Sequence, residues 1–207
     1  VTINGANGGV QTITGSSNAE TITTGAGDHD DIITGGGGND ILSSSNATDS
    51  DSFVFEATAA ANGEDAITSF TAGATDKDIL DVDAFLGTTD VTTGGLDGVA
   101  IDATAGIAIT TVTAGAAVNG TDIGDQAFVW GGTTADLATL IEDSTANDKL
   151  YLADGAKAFA LIGTMADGAV TYSAYYITGT GTDTETITLV GTVGVIDGDA
   201  LDHFNFA

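Results

Sequence analysis

Residues 25 to 40, GAGDHDDIITGGGGND, put two kinds of oxygen at short intervals. Asp28, Asp30, Asp31, Asn39 and Asp40 carry side-chain oxygens, and Gly25, Gly27, Gly36 and Gly38 sit where a turn of positive φ would bare backbone carbonyls. Calcium takes six to eight oxygen ligands at roughly 2.3 to 2.6 Å in flexible geometry, so this alternation suits it. Gly35 to Ser43 fits the nonapeptide G-G-x-G-x-D-x-U-x, with U a large apolar residue, at every defined position. A Gly/Asp run is ordinarily a solvated loop, and what weighs against that here is repetition. Such a run also orders poorly by itself, because glycine loses the most entropy and aspartate is poor in strands.

The elements that must position these oxygens recur along the chain. A large apolar residue returns at Ile3, Ile13, Ile22, Ile33, Leu42, Phe53 and Ile67, with spacings of nine to eleven over the first six. Two residues before each, from Ile13 onward, stand Gln11, Glu20, Asp31, Asp40, Asp51 and Asp65. Each apolar residue is expected to point inward from a short strand, with an oxygen-bearing turn before it. Stacked carboxylates repel, so ion binding would supply the free energy the sequence lacks. Gln11 and Glu20 replace aspartate in the first two turns. In SSSNATDSDS, residues 43 to 52, the glycines are missing and Asp49 can stand in for Asp51 as a ligand. His29, inserted before Asp31, is expected to face solvent.

The chain has 207 residues with 42% hydrophobic content, enough for a real core. Its 30 acidic residues against Lys77, Lys149 and Lys157 give a net charge of −27, which opposes compaction unless cations neutralise it. The shortage of Lys and Arg argues against nucleic acid and anionic membranes as partners. Cysteine is absent, so no disulfide or thiol site exists. No apolar run approaches the ~18 residues of a membrane span, and no leader pattern is visible at the start. Thirty glycines, no proline and abundant threonine predict an all-β chain.

The segment DSDSFVFEATAAANGEDAITSFTAGATDKDILDV, residues 49 to 82, resembles the end of RTX (repeats-in-toxin) domains in serralysin-type proteases, toxins and RTX S-layer proteins. A D-x-F-x-F turn (Asp51 to Phe55) is followed by G-x-D-x-I-x-x-F (Gly63 to Phe70) and by an acidic closing element, Asp76 to Asp81. The resemblance covers roughly residues 1 to 82 and implies a parallel β-roll binding several calcium ions. Successive turns of such a roll alternate sides, so one row would hold Gln11, Asp31 and Asp51, the other Glu20, Asp40 and Asp65, with Asp76 and Asp78 at the closing end. It also implies export by type I secretion, with the chain unfolded in the calcium-poor cytoplasm and folded outside. Leu201, Phe204 and Phe206 resemble the apolar end of a C-terminal export signal and equally suit a last strand.

Residues 83 to 207 read as a second, β-sandwich-like module. Its strands are GIAITTVT, KLYLAD, KAFALIG, AVTYSAYYITG and TETITLVGTVGVI, separated by turns at Asp154-Gly155, Asp167-Gly168 and Asp197-Gly198. One short helix is expected in TTADLATLIEDS, capped by Thr134, with Leu137, Leu140 and Ile141 on its apolar face. Trp130, Tyr172, Tyr175 and Tyr176 read as core and strand residues rather than a sugar-binding platform. No nucleophile or metalloprotease motif is present, and His29 and His203 stand alone, so no enzyme is expected. The expected function is a secreted, calcium-binding structural protein that assembles with itself into a surface layer, matrix or fibre. The alternatives are an adhesin or carbohydrate-binding module for cell-surface polysaccharide, and the non-catalytic secretion and folding tail of a larger exoprotein.

Overall fold

The computed structural model describes residues 1–72, 76–87, 121–122, 126–130, 134–135, 138, 141–142, 150–163, 170–180, 185–196, 201 and 205–206. The described part is mostly β. The first strands are three residues long: β1 Thr2–Asn4, β2 Thr12–Thr14, β3 Thr21–Thr23, β4 Ile32–Thr34, β5 Ile41–Ser43 and β6 Ser52–Val54. β7 Asp65–Phe70 and β8 Ile79–Asp81 follow. Their Thr-Ile-Thr, Ile-Ile-Thr and Ser-Phe-Val sequences favour extended backbone, and the short glycine or serine turns between them stop each strand early.

Successive strands alternate between two parallel sheets. One contains β1-β3-β5-β7 and the other β2-β4-β6-β8. The register aligns the central apolar residues, Ile3 on Ile22 on Leu42 on Ile67 in the first sheet, and Ile13 on Ile33 on Phe53 on Leu80 in the second. Of the seven apolar positions expected to point inward, all are buried except Ile3, which is half-buried against the same core. Burying one such side chain stabilises by about 1.5 to 3 kcal/mol, so these two ladders hold the stack from inside.

Close approach of the turns requires glycine where they stack. A Cβ on Gly25 would overlap the Ala6 carbonyl, and one on Gly15 would overlap the Gly35 carbonyl. After β6 the chain forms a short helix, α1 Ala59–Asn62, capped by the Thr58 hydroxyl, which accepts from Ala61 N. A second, α2 Asp83–Leu86, ends at left-handed Gly87.

The later strands are β9 Thr121–Asp122, β10 Gln126–Trp130, β11 Ile141–Glu142, β12 Leu150–Tyr151, β13 Lys157–Ile162, β14 Val170–Gly179 and β15 Glu185–Val195. β13, β14 and β15 are antiparallel, and β15 then pairs parallel with β7. Among the described residues one eight-stranded sheet, β1-β3-β5-β7-β15-β14-β13-β10, therefore runs across the boundary expected at residue 82. A single apolar cluster spans both regions, joining Phe55 and Phe85 to Phe159 and Tyr176. Gly155 takes φ 76 in the Asp154-Gly155 turn, as expected, whereas GIAITTVT and the other two Asp-Gly turns lie outside the described residues.

One expectation needs correction. Thr134, Ala135 and Ala138 are helical, but Ile141, assigned by its spacing to the helix face, is a strand residue paired with Leu150. β-branched Ile extends readily, and pairing with β12 outweighs the helical periodicity. Near the C-terminus the chain packs back against the repeat stack. Leu201 and Phe206 are buried, Phe206 bridges Leu80 at the edge of β8, and Asn205 Nδ2 donates to Asp78 O at 3.0 Å. Phe204 lies outside the described residues.

Candidate functional site

Each turn delivers a carboxylate to the start of a strand, and the stacking aligns these carboxylates in two rows. In the first, Gln11 N donates to Asp31 Oδ1 at 2.7 Å, Asp31 N to Asp51 Oδ1 at 2.8 Å, and Asp51 N to Asp78 Oδ1 at 3.0 Å. In the second, Glu20 N donates to Asp40 Oδ1 at 2.7 Å and Asp40 N to Asp65 Oδ1 at 3.0 Å. One oxygen of each aspartate thus caps the amide two turns earlier, where the strand ladder begins.

The second oxygens face a different situation. Asp40 Oδ2, Asp51 Oδ2 and both oxygens of Asp49 are buried and make no hydrogen bond. Such groups are costly in a protein interior unless something neutralises them. Seven carboxylates are buried among the described residues: Glu20, Asp31, Asp40, Asp49, Asp51, Asp65 and Asp78. Burial, followed by the charge of Asp51, pushes Asp49 up to about 6. Burial also pushes Asp65 up to about 7 and Asp78 to about 8, opposed by their backbone hydrogen bonds and reinforced by neighbouring carboxylates. Asp40 and Asp51 move upward for the same first reason, and Glu20 is held low by the Ser16 amide and hydroxyl.

The other expected ligands divide by row. Gly25 O accepts from Ser45 Oγ at 2.6 Å and Gly27 O from Asn46 Nδ2 at 3.4 Å. Asp28 Oδ1 accepts from Thr48 Oγ1 and Asp30 Oδ1 from Ser50 N. The glycine-poor turn 45 to 50 therefore stacks on its predecessor through its own hydroxyl and amide groups. Gly36 and Gly38 adopt φ 82 and φ 129, and Asn39 Oδ1 accepts from Glu64 N. Asp76 is exposed at φ 48, unlike buried Asp78.

Glu56 and Asn62 are absent from the set the motif suggests. Glu56 Oε1 accepts from Gly36 N at 2.8 Å while its buried Oε2 has no partner, and burial raises its pKa. Asn62, fully buried, donates to Asp65 Oδ2 and to Val190 O of β15. The signal for Glu56 was its distance of twenty residues from Gly36, the period of one row.

Among the described residues, no three His, Cys, Asp or Glu side chains meet in a group that could alone hold a metal ion. Calcium also uses backbone carbonyls, and the donor set here is all hard oxygen with orphaned carboxylate atoms, which fits that ion. Of the aromatic residues considered for sugar binding, Tyr172 and Tyr176 are buried and Tyr175 is half-buried; the side chain of Trp130 lies outside the described set. Among the described residues no helix is long and apolar enough to cross a membrane. Searches of family models, curated proteins and solved structures find no match to the chain.

Proposed function

We propose that residues 1 to 82 form a calcium-binding β-roll of the RTX type, and that the protein is a secreted, non-enzymatic structural component that folds where calcium is plentiful. The observation that carries this reading is the set of orphaned buried oxygens on Asp40, Asp49 and Asp51, repeated along stacked turns in a chain of net charge −27. Asp31, Asp49, Asp51 and Asp78 would hold ions in one row, and Glu20, Asp40 and Asp65 in the other. Bound calcium supplies charge neutralisation, and the aspartate Oδ1 atoms keep the strand starts capped.

Self-assembly into a layer or fibre is the functional end of this proposal. Among the described residues the long sheet ends in β1 and β10, and an end strand presents backbone groups to which another chain can pair. Leu201 and Phe206 are buried, so the assembly contact proposed here is a sheet edge.

Circular dichroism and light scattering during a calcium titration test both steps. Folding should rise with calcium, and large particles should appear only once the chain has folded. Full folding in chelator would overturn the calcium reading; a folded chain that stays monomeric at millimolar calcium would overturn assembly.

A further inference from the structure

We infer that Glu56 joins Asp40 and Asp65 in a calcium site at the junction of the repeat stack with β14 and β15, and that an ion there locks the antiparallel strands onto the stack. Backbone carbonyls and water complete its coordination, because these three side chains do not form a metal-holding group by themselves. The inference rests on the calcium reading above and adds to it a ligand and a mechanical role. Glycine at position 35 leaves one space into which two carboxylates point: a Cβ there would lie 2.8 Å from Asp40 Oδ2 and 3.0 Å from Asp65 Oδ2. Asp40 is only 1% exposed, and its Oδ2 has no hydrogen-bond partner. Glu56 reaches the same turn from the next layer, bonded through Oε1 to Gly36 N, with Oε2 buried and unpartnered.

Two of these residues, Asp65 and Glu56, are wired to the C-terminal strands. Asn62 donates to Asp65 Oδ2 at 3.2 Å and to Val190 O at 3.1 Å, and its Oδ1 accepts from Glu56 N at 3.1 Å. Tyr176 of β14 donates its hydroxyl to Glu56 O at 2.6 Å. A cation that fixes Glu56 and Asp65 thereby fixes the groups to which β14 and β15 are bonded. With the site empty of charge compensation, repulsion among three carboxylates acts at that seam.

The test is calcium titration calorimetry together with hydrogen exchange of residues 170 to 179 and 185 to 195, in millimolar calcium and in chelator. Wild type is compared with Glu56→Gln, which keeps the acceptor for Gly36 N, and with exposed Glu64→Gln, which removes the same charge nearby. Glu56→Gln should weaken one class of calcium site by about tenfold or more and abolish the calcium-dependent protection of β14 and β15, with Glu64→Gln behaving as wild type. Should Glu56→Gln fail to fold in calcium, Glu56→Asp is read in its place, with the same expectation of a weakened site. Wild-type affinity in the Glu56 variant, or protection of β14 and β15 that ignores calcium, overturns the junction site alone. Absence of any calcium binding by wild type overturns this inference and the proposed function together.

Discussion

Asp51 shows how one residue can be required by the fold and opposed by it. Its Oδ1 caps the Asp31 amide, while its Oδ2 is buried without a partner in a side chain that is fully inaccessible. Two substitutions separate these roles. Asp51→Asn keeps an acceptor for Asp31 N and removes the buried charge, so in chelator it should raise stability, by about 1 to 3 kcal/mol. In millimolar calcium the sign should reverse, because a charged ligand is lost. Asp51→Ala leaves the Asp31 amide unsatisfied and should cost about 1 to 3 kcal/mol under both conditions. Urea unfolding followed by circular dichroism, with and without calcium, reads all four values. Equal effects of the two substitutions in chelator would remove the argument that the charge, rather than the hydrogen bond, is the destabilising feature.

At the scale of elements, the turns decide more than the strands. Gly63, the C-cap of α1, has φ 76, and a Cβ there would collide with the Gly38 carbonyl oxygen. Gly87 caps α2 with similar φ 80, but nothing lies near its Cβ position. Gly87→Ala should therefore cost only the conformational term, about 1 to 2 kcal/mol. Gly63→Ala adds a backbone clash and should cost clearly more, which urea midpoints of the two variants will show. The strands themselves were legible in the sequence because a large apolar residue between threonines reports inward direction locally, as at Ile13 and Ile22. The two carboxylate rows came from the resemblance to a β-roll, in which alternate turns stack, and not from the nine-to-eleven-residue spacing by itself. Glu56, although twenty residues from Gly36, was missed because its turn carries α1 in place of a glycine nonapeptide, and Asn62 was not legible because its partner Val190 lies on β15, more than a hundred residues away. Nor was the pairing of β15 with β7, which no local pattern of alternation encodes.

Across the whole molecule, protons and calcium should act on the same buried charges with opposite pH dependence. In the metal-free chain Asp49, Asp65 and Asp78 are pushed up to about 6, 7 and 8 by burial and by neighbouring carboxylates, above the unfolded value near 4. The folded state then binds more protons than the unfolded state between these limits, so stability falls as pH rises. The contribution is fully present below the unfolded value and is lost as pH climbs through about 6 to 8. Acid also lowers the overall repulsion of a chain carrying −27. Glu20 opposes the trend, since its lowered pKa gives stability that disappears on strong acidification. The metal-free protein should accordingly be most stable in mildly acidic solution and weakest at alkaline pH. Calcium reverses the slope, because it binds the ionised carboxylates and competes with protons for them. Urea midpoints measured from about pH 4.5 to 8.5 should fall with pH in chelator and rise with pH in millimolar calcium. A midpoint in chelator that is flat or rising over this range would mean that the buried carboxylates are neutralised within the fold itself, and that the chain needs neither proton nor cation to hold its rows together.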